Sequence, residues 1–404
     1  MVVLETEAVA VKAEGRPRGR RKGELLSVSD TGVLCQFEDR CAVGMGWALR
    51  RFPLTKAVPL AISRGTTAAV ERLELRLDHD GVIGRGETGG LNTGHRAYQL
   101  AGIEAELQAL LPRLNGLNPR DRHGFDACLS GLSPPACCAV DLALWDWWGK
   151  SLQQPIWRLC ALDGSVAVAT SVTLGLATVE SVLQRLQRWW NQVPATRIKL
   201  KLGSPDGLDH DRALLVAVAQ SLENRRQATG GPVELQVDAN GGWTLDQAKA
   251  MVADLIRADV VLLEQPLAAQ QDPERDAAGF AALKPDCPLP LVADESCWSL
   301  EDLLRLAPHV DGVNLKLLKT GGLSEALLMA RVAQRLGLDL MVGCYSDSSL
   351  LNGAAAQLLP FIRWPDLDSH LNLVDDPYTG LCLDGDRLKV PAAPGLGIDR
   401  QEER

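Results

Sequence analysis

No apolar run in these 404 residues is long enough to cross a bilayer, so a helical membrane span is not expected. Net positive charge is missing too. Fifty-one acidic residues against 42 lysines and arginines leave −9 at pH 7, which argues against nucleic acid or an anionic membrane as partner. No signal-peptide pattern is read in the opening residues, and Glu5, Glu7 and Glu14 speak against an organelle-import segment. The expected compartment is the cytoplasm. Paired metal-ligand spacing is absent among the ten cysteines: Cys137 and Cys138 are adjacent, and others such as Cys287 and Cys344 lie in apolar segments. Reduced, buried thiols are the expectation. A glycine-rich phosphate turn is also lacking, since "TLGLAT" stands where a dinucleotide-binding open sheet would carry one.

What is present fits a soluble enzyme. Hydrophobic residues make up 46% and charged residues 23%, and the length suits a barrel with a smaller partner domain. Residues 1–45, with the basic run Arg16–Lys22, read as a solvated, disordered extension. An α+β segment is expected over 46–163. In it "ERLELRLDHDGVIGRGE" alternates polar and apolar residues around Asp80-Gly81, the pattern of a β-hairpin. The dense apolar run Ala136–Trp148 follows as a buried helix, with Trp145, Trp147 and Trp148 expected in packing rather than in a ligand cage.

Over 164–370 short β-rich runs alternate with amphipathic helical stretches. The runs are "VAVATSVTLG", "TRIKLKLG", "VELQVDAN", "VVLLEQPL", "LPLVADES", "GVNLKLL", "LDLMVGC" and "FIRWPDLD". Such alternation implies parallel strands joined by crossover helices, and eight units of this size make an α/β fold of the (β/α)8, TIM-barrel type. Residues 371–404, with "DRLKVPAAPGLGID", are expected to return to the first segment and complete an α+β capping domain.

Barrel chemistry sits at the C-terminal ends of strands. Here those ends are charged: Lys199 and Lys201, Asp238 and Asn240, Glu264, Asp294-Glu295, Lys316, then Asp366 and Asp368. Alternate residues share a face, so Lys199 and Lys201 are expected to enter the barrel mouth together. Any one of these charges is most simply a solvated strand end. Three carboxylates on three successive strands are not, because neighbouring strands lie about 4.8 Å apart and their side chains can converge on one cation. An all-oxygen set suits Mg²⁺, with Mn²⁺ also accommodated; zinc would call for histidine or thiolate.

In order, "KLK", "VDANGGW", "LLEQPL", "VADES" and "VNLKLLKTGG" resemble the enolase superfamily, in its subgroup of muconate-lactonising enzymes and dipeptide epimerases. The resemblance spans about residues 46–398. It implies Asp238, Glu264 and Asp294 as metal ligands, Lys201 and Lys316 as acid/base pair, and Lys199 as auxiliary. Lysine bases with Mg²⁺ stabilising an enediolate are a known property of that superfamily, not a derivation from these residues. Within "KLLK", Lys316 follows the strand and Lys319 is expected in the loop. Asn240, Glu295 and Asp347 are expected to support the site.

The same enolate chemistry serves several reactions, so substrate identity must come from other positions. Asp366-Leu367-Asp368 matches a D-x-D pattern by which dipeptide epimerases hold the substrate ammonium, and two carboxylates there would repel dicarboxylate substrates. Arg64, in "AISRGTT", is placed in a covering loop where it could pair with an acidic side chain. Thr173 is expected at the peptide. Relatives carry Gly-x-Met-x-Glu-Ser near the seventh strand, whereas this chain has Gly343-Cys344-Tyr345-Ser346-Asp347-Ser348, which makes Cys344 and Tyr345 candidate pocket residues. The expected activity is a Mg²⁺-dependent dipeptide epimerase, an isomerase acting on a small dipeptide. A muconate-type cycloisomerase or o-succinylbenzoate synthase, and a catalytically silent binding barrel, are the alternatives. A homo-oligomer is left open.

Overall fold

The structure, a computed structural model, describes residues 46–401, so the expectation for residues 1–45 lies outside it. Three antiparallel strands come first: β1 (Gly46–Ile62), β2 (Gly65–His79) and β3 (Val82–Gly89). Asp80 and Gly81 join β2 to β3 at φ of 54° and 73°, the twin left-handed geometry that a two-residue hairpin requires. Leu73, Leu75 and Leu77 alternate onto the inner face of β2. They bury against α1 (Leu100–Leu114) and α3 (Pro134–Ser151), with α2 (Arg122–Leu129) between those helices. The approach of β3 to α3 depends on glycine: a Cβ on Gly86 would stand 2.0 Å from the Ala139 carbonyl oxygen.

The three tryptophans of α3 divide. Trp147 is buried and donates to the His79 carbonyl at 3.0 Å; Trp145 donates to Ser324 Oγ at 2.8 Å; Trp148 is exposed. The chain's tail returns to this layer. Tyr378 and Arg400 both donate to Glu74 of β2, and the Tyr378 ring packs edge-on against Phe52.

Eight parallel strands build the second layer: β4 (Val172–Leu174), β5 (Arg197–Lys201), β6 (Glu234–Asp238), β7 (Val260–Glu264), β8 (Leu291–Ala293), β9 (Gly312–Leu315), β10 (Asp339–Gly343) and β11 (Trp364–Asp366). They are hydrogen-bonded in sequence order. The last seam is drawn together by Ser171, whose N–H donates to the Pro365 carbonyl at 2.9 Å and whose hydroxyl donates to Asp366 Oδ1 at 2.6 Å. Each of the first seven strands is followed by an α-helix, beginning with α4 (Val179–Gln192), and the sixth by a further single helical turn as well. After β11 a single 3-10 turn, Ser369–Asn372, stands where the eighth helix of an ideal barrel would be.

The first expected strand is also divided. Ala167–Ala169 pairs antiparallel with Arg387–Lys389 of the tail, and only Val172–Leu174 enters the barrel. Inside, Leu262, Val292, Met341 and Trp364 form an apolar floor beneath the strand ends. Over those ends lies the β1–β2 arm, whose register slips between Thr55 and Leu60. The Leu176 N–H donates to the Ala61 carbonyl, which ties the arm to the end of β4. No helix of the described residues is long and apolar enough to cross a membrane, and the eight cysteines among them are all free.

Candidate active site and metal centre

Register brings the strand-end charges to one height. Lys201 of β5 lies opposite Asp238 of β6, and Asp238 opposite Glu264 of β7; Asp294 follows directly after β8. Ligand oxygens of Asp238, Glu264 and Asp294 all lie within 4.8 Å of one another, and all three residues are buried. Three carboxylates this close repel one another unless cations intervene. The protein supplies four lysines.

Lys201 Nζ donates to Asp238 Oδ2 at 2.5 Å, and Lys316 Nζ to Asp294 Oδ2 at 2.6 Å. Lys199 is fully buried; it donates to Asp366 Oδ2 at 2.6 Å and stands 2.5 Å from Glu264 Oε2 and 3.6 Å from Asp238 Oδ2. Lys319 is buried as well. It donates to Asp294 Oδ1 at 2.6 Å, to the Asn314 carbonyl at 3.0 Å and to the Asp294 carbonyl.

Electrostatics follow from this crowding. Burial works against the Lys199 ammonium, but Asp366, Glu264 and Asp238 outweigh it and hold the group well above the usual lysine range. Burial likewise opposes the Lys316 ammonium, and Asp294 chief among the anions lifts it well above that range. The Glu264 carboxyl is pushed up to about 8 by burial and then by Asp238. Asp238 is the reverse: burial would raise it, yet Lys201 and Lys199 bring it below the usual carboxylate range.

The backbone around the ligands is held in uncommon conformations. Asn240 and Gln265 have φ of 44° and 35°, sparsely populated for residues with a Cβ. The Asn240 N–H donates to Asp238 Oδ1 at 2.8 Å, and Gln265 Oε1 accepts from the Asp294 N–H at 2.9 Å. Asn314 Nδ2 donates to Glu264 Oε1 at 2.7 Å. Gly343 makes room on the next strand, because a Cβ there would lie 2.7 Å from the Asn314 amide and 2.8 Å from Lys316 Cε.

These residues fit a divalent cation. The donors are anionic oxygens, and Glu264 Oε2 is buried without a hydrogen-bond donor: the close Lys199 ammonium is an ion pair outside hydrogen-bond geometry. Asn240 Oδ1, Glu295 Oε2 and Asn314 Oδ1 are buried acceptors without partners nearby. Such a surplus of unsatisfied oxygen is what a hard cation satisfies.

The other expected residues fall around this centre. Asp366 is engaged by Lys199 and Ser171, whereas Asp368 Oδ2 accepts from the Thr173 N–H at 2.7 Å. Arg64 crosses from the arm: Nη1 donates to the Asn240 carbonyl at 2.7 Å and Nη2 to Glu295 Oε1 at 2.6 Å. Asp347 accepts from Arg72 Nη2 at 2.5 Å and from the Tyr345 N–H at 2.9 Å. Cys344 and Tyr345 line a cavity of about 320 Å³ together with Lys201 and Lys316.

Two side chains here have no signal in the strand pattern. Arg72 sits on a cap strand, where its charge looks solvated; Lys319 was expected in a loop. One helical turn, Leu317–Thr320, instead folds Lys319 back beneath Asp294. Lys319→Met should cost about 3–5 kcal/mol of stability, since it removes one partner of a buried ion pair. Denaturant unfolding checks this; a midpoint like that of the wild type would show that Lys319 does not hold Asp294.

Two family models cover nearly all of the described chain. Residues 163–404 match the enolase C-terminal domain-like family, and residues 48–160 the mandelate racemase / muconate lactonizing enzyme N-terminal domain. The chain belongs to the enolase superfamily. Among its superfamily relatives is the hydrophobic dipeptide epimerase of a Flavobacteria bacterium (strain MS024-2A), 37% identical over 89% of this chain and 99% of the relative. Another, from Roseobacter litoralis, carries the same name and is 36% identical over 85% and 96%. A solved superfamily structure, the dipeptide epimerase from Enterococcus faecalis V583 complexed with Mg and L-Leu-L-Tyr, superposes with a TM-score of 0.78. It is 27% identical and covers 88% of this chain and 99% of its own. As a superfamily member with such relatives, the protein is an isomerase of the racemase and epimerase type.

Proposed function

We propose that this protein is a Mg²⁺-dependent dipeptide epimerase that inverts the α-carbon of the C-terminal residue by two-lysine proton transfer. One observation carries the reading: Lys201 and Lys316 are fastened to different carboxylates of one cluster and line the same cavity. The names of the relatives point the same way.

An α-proton beside a carboxylate is very weakly acidic, because its removal leaves a dianion. Asp238, Glu264 and Asp294 would hold the cation, which when bound supplies Lewis-acid stabilisation of that charge. Lys316 holds its proton tightly because Asp294 is its counter-ion. With Asp238 and Asp294 committed to a cation, one lysine, as free amine, would take the proton from one face and leave the electron pair on the substrate as an enediolate. The other, as ammonium, returns a proton to the opposite face. Reversal exchanges the roles. Lys199, fully buried and ion-paired, serves as fixed positive charge beside Lys201.

The substrate's ends follow from which groups remain available. Asp366 is occupied by Lys199, so Asp368 is assigned the substrate ammonium, with Thr173 orienting it. The terminal nitrogens of Arg64 are engaged by the barrel, and Leu60, Ile62, Val70 and Leu91 give the cavity apolar walls. An apolar side chain on the C-terminal residue fits this apolar part of the wall, and the names of the hydrophobic dipeptide epimerase relatives support the same choice. Asp368→Asn should raise KM for a dipeptide roughly 10-fold or more, as loss of a charge-assisted contact does. Steady-state kinetics with a free and an N-acetylated dipeptide would test it, and an unchanged ratio between the two substrates would remove Asp368 from ammonium binding.

A further inference from the structure

The reaction cavity has a neighbour. A smaller one, of about 130 Å³, lies across the β1 arm and is lined by Asp368, Thr173 and Lys56. Leu60 and Tyr345 are the two residues that line both. Leu60 offers only hydrocarbon, so Tyr345 is the polar group on the wall between the space of the two lysines and the space of Asp368.

Three features of Tyr345 are unaccounted for by packing. Its hydroxyl is buried and has no hydrogen-bond partner, which costs free energy unless a ligand supplies one. Its ring lies under the Lys316 ammonium, 4.5 Å from Nζ to the ring centroid, within the range of a cation–π contact. Its backbone is fixed from behind: the Tyr345 N–H donates to Asp347 Oδ2 at 2.9 Å, and Asp347 is held by the buried Arg72. The ring stands between the two spaces, on a backbone held from behind and against Lys316.

We propose that Tyr345 is a substrate-positioning residue with two separable functions: its hydroxyl hydrogen-bonds the peptide unit of a dipeptide lying across both cavities, and its ring orients Lys316. This rests on the dipeptide reading above. A dipeptide with its α-carbon between Lys201 and Lys316 and its ammonium at Asp368 must pass its peptide group along the wall that Tyr345 forms. That peptide offers both a carbonyl acceptor and an N–H donor, and a phenol can serve either.

Two substitutions separate the functions. Tyr345→Phe keeps the ring and removes the hydroxyl; Tyr345→Met removes both. With the wild type turning over an apolar dipeptide, Tyr345→Phe is expected to raise KM roughly 5–30-fold with kcat retained, the scale of one lost buried hydrogen bond. Tyr345→Met is expected to add a fall in kcat. It should also slow deuterium exchange selectively from the epimer whose α-proton Lys316 handles, with Mg²⁺ affinity by calorimetry unchanged. A wild-type KM in Tyr345→Phe overturns the hydroxyl's function. Kinetics alike in the two variants overturn the ring's. If the wild type itself turns over no dipeptide, the reading of the function fails instead.

Discussion

Lys201→Ala should abolish deuterium wash-in at the substrate α-carbon when the reaction starts from one epimer, and Lys316→Ala when it starts from the other, each by about 10²–10⁴-fold. The asymmetry is the informative part. Lys201 reaches in from β5 beside Asp238, and Lys316 from the end of β9 beside Asp294, with the three carboxylate-bearing strands between them. A planar enediolate held there presents one face to each ammonium. Removing one lysine leaves the other able to exchange the proton on its own face, so each variant retains wash-in from one epimer while net inversion stops in both. Proton NMR in D2O, run separately on the two epimers, reads this directly. Wash-in retained from both epimers in either variant would show that the lysine is not a proton carrier.

The second large effect concerns Glu264. Its carboxyl is buried, shares the centre with Asp238 and Asp294, and is pushed up to about 8 by burial and Asp238. Glu264→Gln keeps the shape and removes the charge. Lys199 keeps Asp366 as counter-ion, and Asn314 can turn its amide to suit the new neighbour, so folding should survive. Binding of Mg²⁺ should not. Loss of a group that merely supports a ligand costs about 10–100-fold in metal affinity, and loss of an anionic ligand should exceed that. Titration calorimetry measures the affinity, and thermal unfolding with and without Mg²⁺ supplies the control, because a ligand that binds the folded state raises Tm. A variant that binds Mg²⁺ as the wild type does would exclude Glu264 from the metal set.

Much of this centre was legible in the sequence because a parallel barrel has a simple rule. Strand ends point to one mouth, and every second residue points inward, so "KLK" already puts both lysines on one face and Asp238 at the end of its strand. The pairing of those groups was not legible. Lys199 and Asp366 are 167 residues apart and meet only because β5 and β11 face the same interior. A D-x-D run cannot show that one of its carboxylates is already occupied.

Lys319 was hidden for a different reason. Strand periodicity ends at Leu315, and the single helical turn that follows redirects the side chain inward. Arg64 was expected to pair with an acidic side chain of the substrate, and its commitment to Asn240 and Glu295 depends on how the arm lies over the barrel, which local patterns do not encode. The divided first strand and the absent eighth helix are similar. "VAVATSVTLG" is continuous in β-propensity, yet the tail strand Arg387–Lys389 competes for its first half.

The most direct test is incubation of the Mg²⁺-loaded protein with a library of dipeptides in D2O, read by mass spectrometry and chiral analysis. Expected is a gain of one deuterium at the α-carbon of the C-terminal residue with inversion there, strongest for apolar side chains. No deuterium gain from any dipeptide, together with turnover of a muconate-type or succinylbenzoate-type acid, would contradict it.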